Sequence, residues 1–195
     1  MVNARPDNPP QIATSICFGH KFRFLASAAI SSRNLTFVEL LDLLCVAVTT
    51  TSAYRICGSV KLNSIEMWAA TTTASSSQTV SFQKFGSLVG AAGNSKLYSD
   101  TALGVSNVAH VKVRFNDGEQ LGQWQNGTAT GIYGAITIPQ GGVVDLSVTF
   151  TLNEVSGTAA VTGTVAAASV GQIYLRSLDN GQATPQLTPI SYVTI

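Results

Sequence analysis

The chain has 195 residues, which suits one domain with or without a short arm. Its 45 % hydrophobic content excludes disorder over most of the length, and a charged fraction of 11 %, against about 25 % in an ordinary domain, excludes a coiled coil. The net charge of +1 excludes a nucleic-acid binder held by charge alone. The polar positions are filled by 20 Ser and 21 Thr, and with 17 Gly this composition indicates a β-rich protein with a mostly neutral surface.

Residues 1–20 are expected to form an arm, because Pro6, Pro9 and Pro10 forbid a regular helix or central strand there. They lack a continuous apolar stretch, so no secretory signal is expected. The folded body is expected to span 21–195. In KFRFLASAAI (Lys21 to Ile30), Phe22, Phe24, Ala26, Ala28 and Ile30 alternate with Lys21 and Arg23, the period of a half-buried strand. A capping box follows at Thr36 and Glu39. Phe37, Leu40, Leu41 and Leu44 then fall on one helical stripe, which the β-branched run Thr49 to Thr51 would end.

Tyr54 to Trp68 is the next expected strand. Val60 and Leu62 share a face with Ile65 and Met67 only if a β-bulge slips the phase near Asn63-Ser64. Thr79 to Phe85 alternates, and Gly86 to Leu103 is rich enough in Gly, Ser, Ala and Asn to suggest a long connection. Val108 to Phe115 alternates again and ends at a turn, Asn116-Asp117-Gly118. Gly131 to Ile138 is a weaker strand. Val144 to Leu152 is the cleanest, with Asp145, Ser147, Thr149 and Thr151 on its polar face. Thr158 to Ala166, Gln172 to Leu178 and Ile190 to Ile195 complete the set, with a turn at Asp179-Asn180-Gly181. The expectation is an all-β, antiparallel eight-stranded jelly-roll sandwich with one short helix between the first two strands. The strand count by itself also fits an immunoglobulin-like sandwich.

The pattern offers little for chemistry. Cys17, Cys45 and Cys57 are odd in number and irregular in spacing, which suits buried reduced thiols. His20 and His110 are too few for a cupin-type metal centre, and each reads as a surface or interface histidine. Neither a nucleophile elbow nor a phosphate-binding loop occurs. Glu66 beside Trp68 is the most glycosidase-like carboxylate, yet a sheet-face Glu beside an aromatic is ordinary. Asp117 and Glu119 could hold Ca²⁺ across a subunit contact, but two carboxylates do not specify such a site, and a solvated turn is the simpler reading. Triplets at Asn34 and Asn126 fit glycosylation only by chance in a Thr-rich chain. The uncharged run from Val155 to Leu175 is too poor in large apolar side chains to suggest a membrane span. No enzyme activity, cofactor or metal is expected.

Arg5, Lys21 and Arg23 are the candidate nucleic-acid contacts. Lys21 and Arg23 share the polar face of the first strand and would meet phosphates if that face looked onto a genome; otherwise the face is simply solvated.

The order of segments carries a resemblance. KFRFLASAAI, then TFVELLDLLCV, then SVKLNSIEMWA resembles the opening of single-jelly-roll capsid proteins of small icosahedral RNA or circular single-stranded DNA viruses. Further on, SDTALGVSNVAHV, LGQW, VVDLSVTFTLN and GQIYLRSLDNG are similar to later segments of the same family, so the resemblance covers about residues 20–195. It implies a wedge-shaped subunit that self-assembles into a closed shell in the virion, with copies of itself and the viral genome as partners and without an active site. Trp68, Trp124 and Tyr133 are then candidate subunit contacts, as large aromatics in polar, loop-rich settings, with core packing the alternative for each.

The sequence departs from the family in lacking a long basic arm, since Arg5 is nearly alone there. At +1 per subunit, about 60 copies carry only about +60, far short of a genome of about a thousand phosphates or more. Nucleic-acid binding is therefore expected to be weak and salt-sensitive. The rival function is a β-sandwich binding module, carbohydrate-binding or adhesin-like.

Overall fold

A computed structural model describes residues 16–70, 76–85, 95–105, 107–126, 131–152, 160, 161, 165 and 167–190. These form antiparallel β-sheets packed together with one α-helix. The strands are β1 (Cys17–Ala26), β2 (Ile30–Thr36), β3 (Leu44–Ala47), β4 (Ala53–Arg55), β5 (Cys57–Ala70), β6 (Ser77–Lys84) and β7 (Lys96–Leu103). They continue as β8 (Val108–Arg114), β9 (Gln125–Asn126), β10 (Ile132–Ile138), β11 (Val143–Leu152), β12 (Ile173–Leu175) and β13 (Leu187–Pro189). One sheet runs β13-β1-β11-β5-β8 with β9 on β5, a second runs β2-β10-β6-β7, and a third, small one runs β12-β3-β4. The described residues thus make three sheets, where a two-sheet sandwich of eight strands was expected.

The core lies between the two larger sheets. Phe22, Phe24, Leu62, Ile65, Met67, Val113, Leu146 and Phe150 face Leu35, Val80, Phe82, Tyr133 and Ile138. Period-two alternation makes this possible: β1, β8 and β11 each turn one apolar face inward and leave the intervening residues outside. The long strand β5 needs the expected bulge. Leu62 pairs with Val148 and Ser64 with Ser147, so Asn63 has no counterpart on β11. Its amide nitrogen instead donates to Thr149 Oγ1 at 2.9 Å. The slip puts Val60 and Leu62 on the same buried face as Ile65 and Met67.

The helix differs from the expectation in place and length. It spans only Phe37–Leu41 and follows the second strand, because Ile30–Thr36, where no separate strand was expected, pairs with β10. The capping box forms: the Glu39 backbone N–H donates to Thr36 Oγ1 at 3.2 Å, and the Thr36 N–H donates to the Glu39 carboxylate at 2.9 Å. Phe37, Leu40 and Leu41 are buried, but Leu44, the last residue of the expected stripe, begins β3. One helical turn is weak alone, and ladders to β4 and β12 occupy the following backbone.

Three further boundaries moved. β1 starts at Cys17 rather than Lys21. β7 fills Lys96–Leu103, where a connection was expected. The last strand among the described residues is β13, paired with β1, while residues 191–195 of the expected terminal strand lie outside them, as does most of the expected strand at Thr158 to Ala166.

Candidate nucleic-acid interface

The outward face of the six-stranded sheet collects most of the candidate side chains, and strand register decides how. Antiparallel pairing aligns Arg23, Asp145, Glu66 and Lys112 in one rung across β1, β11, β5 and β8. The rung on one side holds Lys21, Ser147, Ser64 and Arg114; the rung on the other holds Leu25, Val143, Trp68 and His110. Cations therefore line the flanking strands β1 and β8, and the two carboxylates lie between them on the central strands.

Asp145 is 2 % exposed and accepts a two-pronged bond from Arg23, from Nε at 2.6 Å and Nη2 at 2.8 Å. Lys21 Nζ adds a contact at 3.0 Å. Glu66 pairs with Lys112 Nζ at 3.0 Å and His110 Nε2 at 3.0 Å, with Lys21 at 3.9 Å. Burial alone would raise both carboxyls. For Glu66 the hydrogen bonds from Lys112 and His110 outweigh it, and for Asp145 those from Arg23 and Lys21 do, so both are held below the ordinary carboxylate range. The Arg23 guanidinium is raised by its bond to Asp145.

Trp68 is half-buried in this face. Its ring stacks on His110 with centroids 5.3 Å apart and planes 10° apart, and the Arg23 guanidinium carbon sits 5.8 Å from the ring centroid. A third carboxylate approaches at the margin, where Asp100 Oδ2 accepts from the His110 backbone N–H at 2.8 Å.

The other candidates are scattered. Arg5 lies outside the described residues. Trp124 is 45 % exposed, between a 3₁₀ turn at Gln120–Gly122 and β9, and is open to a partner. Tyr133 is fully buried, with Phe37 at 4.4 Å and Phe115 at 5.8 Å, so it packs the core and offers no surface to a neighbouring subunit. Its hydroxyl is pushed up by burial. His20 is half-buried on the core-facing side of β1, its ring centroid 4.5 Å from that of Phe22. The carboxylates of Asp117 and Glu119 pair with Lys61 and Lys84.

Cys45 and Cys57 are buried and Cys17 is exposed, against the expectation of three buried thiols. Burial pushes the Cys57 thiol up to about 12, and burial is also the main reason that Cys45 is raised. Both are thereby poor nucleophiles. Among the described residues no group of three or more His, Cys, Asp or Glu is placed to hold a metal ion.

Sequence reasoning missed Asp145 as the centre of the charged ladder. Its place on the polar face of β11 was legible, but its partners came from register, which joins residues 122 positions apart. No protein-family model and no curated protein matches the chain.

Proposed function

We propose that the chain is a single-jelly-roll capsid protein, a structural subunit that self-assembles into an icosahedral shell around a viral genome. The strand order carries this reading. Taken in chain order, the eight main strands are β1, β2, β5, β6, β7, β8, β10 and β11, and they lie as first-eighth-third-sixth in one sheet and second-seventh-fourth-fifth in the other. Consecutive strands therefore alternate between sheets except at the β6–β7 step. That interleaving supports a jelly-roll reading, since a double Greek key alternates strands between two sheets in this way, and capsid subunits use that architecture. The small third sheet and the helix are then insertions between the second and third main strands, with β12 added near the end of the chain.

The surface supports association. Leu97, Leu103, Val105 and Val108 are exposed on β7, on the turn after it and at the start of β8, and Val170 and Ile173 are exposed just before and at the start of β12 in the small sheet. A low-charge surface with apolar spots costs little to bury against another copy. Contacts between different patches that close by rotation give rings and shells. The genome would meet the charged ladder on the outward face of the six-stranded sheet, weakly and through phosphates.

The test is particle formation. The purified chain, 20.4 kDa, should elute near about 1.2 MDa if about 60 copies close a shell, and negative-stain microscopy should show uniform particles. Leu103→Asp with Val105→Asp should leave the circular dichroism spectrum unchanged and abolish the particles. A chain that stays monomeric across salt and pH would refute the reading.

A further inference from the structure

We propose that the Arg23–Trp68–His110 stack is a docking site for an unpaired nucleobase, which makes this sheet face selective for single-stranded over duplex nucleic acid. The inference rests on the reading of this face as the genome contact and names the form of nucleic acid that it takes. Trp68 is the shared member: the Arg23 guanidinium carbon lies 5.8 Å from its ring centroid, and the His110 ring stacks on it nearly parallel. His110 is 45 % exposed, so one aromatic ring of the stack is open to solvent. A base laid on that ring extends an existing column instead of building a new one.

The surroundings favour a polyanion. Lys112 and Arg114 follow His110 on the same face of β8, at steps of about 7 Å along the strand. That step is on the scale of one extended nucleotide, so a backbone running along β8 would meet a cation at each phosphate. Lys112 is 41 % exposed despite its bond to Glu66, and no ion pair involves Arg114 among the described residues. The acidic groups at the site, Glu66, Asp145 and Asp100, are each already engaged: the first two by the cations of the ladder, and Asp100 by backbone N–H groups of Thr101 and His110. In a duplex the base faces are covered by their neighbours and cannot reach His110 without unstacking. The electrostatic attraction to phosphates is shared by both forms, so the stack alone discriminates.

Fluorescence anisotropy of a labelled oligothymidylate and of a labelled duplex of equal length, titrated with the full chain at low ionic strength, tests this. The single strand should bind at least about fivefold more tightly than the duplex. It should also quench tryptophan fluorescence, and that quench should be lost in Trp68→Phe. His110→Ala should weaken single-strand binding several-fold more than duplex binding and so remove the preference, whereas His110→Phe, which keeps a ring, should retain it. Equal affinity for the two forms, or a His110→Ala loss shared equally by both, would overturn this inference and leave the genome-contact reading standing. No binding of either form would overturn both. Quenching by a neutral oligosaccharide, with none by the oligonucleotide, would assign the stack to a sugar instead.

Discussion

The buried pair Asp42–Arg55 joins the helix to the small sheet, and removing one partner should be among the most damaging single changes in the chain. Asp42 caps the C-terminal end of the helix Phe37–Leu41 and is 0 % exposed, while Arg55 on β4 is 6 % exposed, with Nη2 at 3.0 Å from Asp42 Oδ1. Neither Nε nor Nη1 of Arg55 has a hydrogen-bond partner among the described residues, so little besides Asp42 compensates the buried charge. Truncating one member of such a pair costs about 3–5 kcal/mol, because the other is left as an unpaired buried ion. Asp42→Ala should therefore lower the stability by about that amount and the melting temperature by about 10 °C, at about 2–4 °C per kcal/mol for a chain of this size. Asp42→Leu combined with Arg55→Met replaces both charges by apolar groups and should recover most of the loss. Equilibrium urea unfolding followed by far-ultraviolet circular dichroism gives all the values needed for the double-mutant cycle. An Asp42→Ala loss below about 1 kcal/mol, the range of solvent-exposed pairs, would refute the reasoning by showing that water reaches the pair.

Two further predictions concern the sheets. Asp145 and Glu66 titrate below their ordinary values in the folded chain, so their contribution is complete above the unfolded carboxyl values, near about 4, and is lost as the pH falls through the lower folded ones. Urea midpoints measured down the acid range should fall less steeply for Asp145→Asn than for the parent, and parallel curves would contradict the assignment. Gly134 on β10 lies against the neighbouring strand: an added Cβ would sit 2.3 Å from the Gln83 carbonyl oxygen and 2.6 Å from the Phe82 ring. Both obstacles belong to the ladder partner β6, so Gly134→Ala should cost about 1–3 kcal/mol or more by overpacking, and an unchanged thermal melt would show that the strand can yield.

The strands that were legible in the sequence are those with one wet face. β1, β8 and β11 alternate because the solvent side of the six-stranded sheet takes Lys, Arg, Asp and Thr while the other side takes Phe, Val and Leu. Even the irregularity at Asn63 showed, since a phase slip in an otherwise regular pattern has few other physical causes. The strands that were missed lack that contrast. β2, ISSRNLT, and β7, KLYSDTAL, are edge strands of the four-stranded sheet and have few buried side chains, so neither imposes an apolar period. The helix was overextended for the opposite reason. The stripe from Phe37 to Leu44 is apolar at helical spacing, but Leu44 onward is claimed by strand pairing.

At the candidate site, Lys21, Arg23 and Trp68 were visible as residue types on one face of two different strands, and Arg5 as the single cation of the arm. Their assembly with Asp145, Glu66 and His110 was not visible, because it depends on which strands are neighbours. Tyr133 shows the same limit from the other side. Its place on the weaker strand Gly131 to Ile138 left a subunit contact and core packing both open, and Phe37 and Phe115, from distant parts of the chain, close over its ring.

What the sequence determined alone was the local grammar: a β-rich chain, the inward face of its most regular strands, a capped turn of helix at Thr36, and the scarcity of groups for chemistry. These follow from short-range preferences and from the separation of apolar and polar side chains, which neighbouring residues settle among themselves. The tertiary structure decided the pairing: the interleaved strand order, the third sheet, the burial of Tyr133 and the charged ladder. Backbone hydrogen bonding is the same for every residue, so a sequence marks a segment as able to pair without naming its partner. Only the simultaneous packing of two apolar faces selects one arrangement.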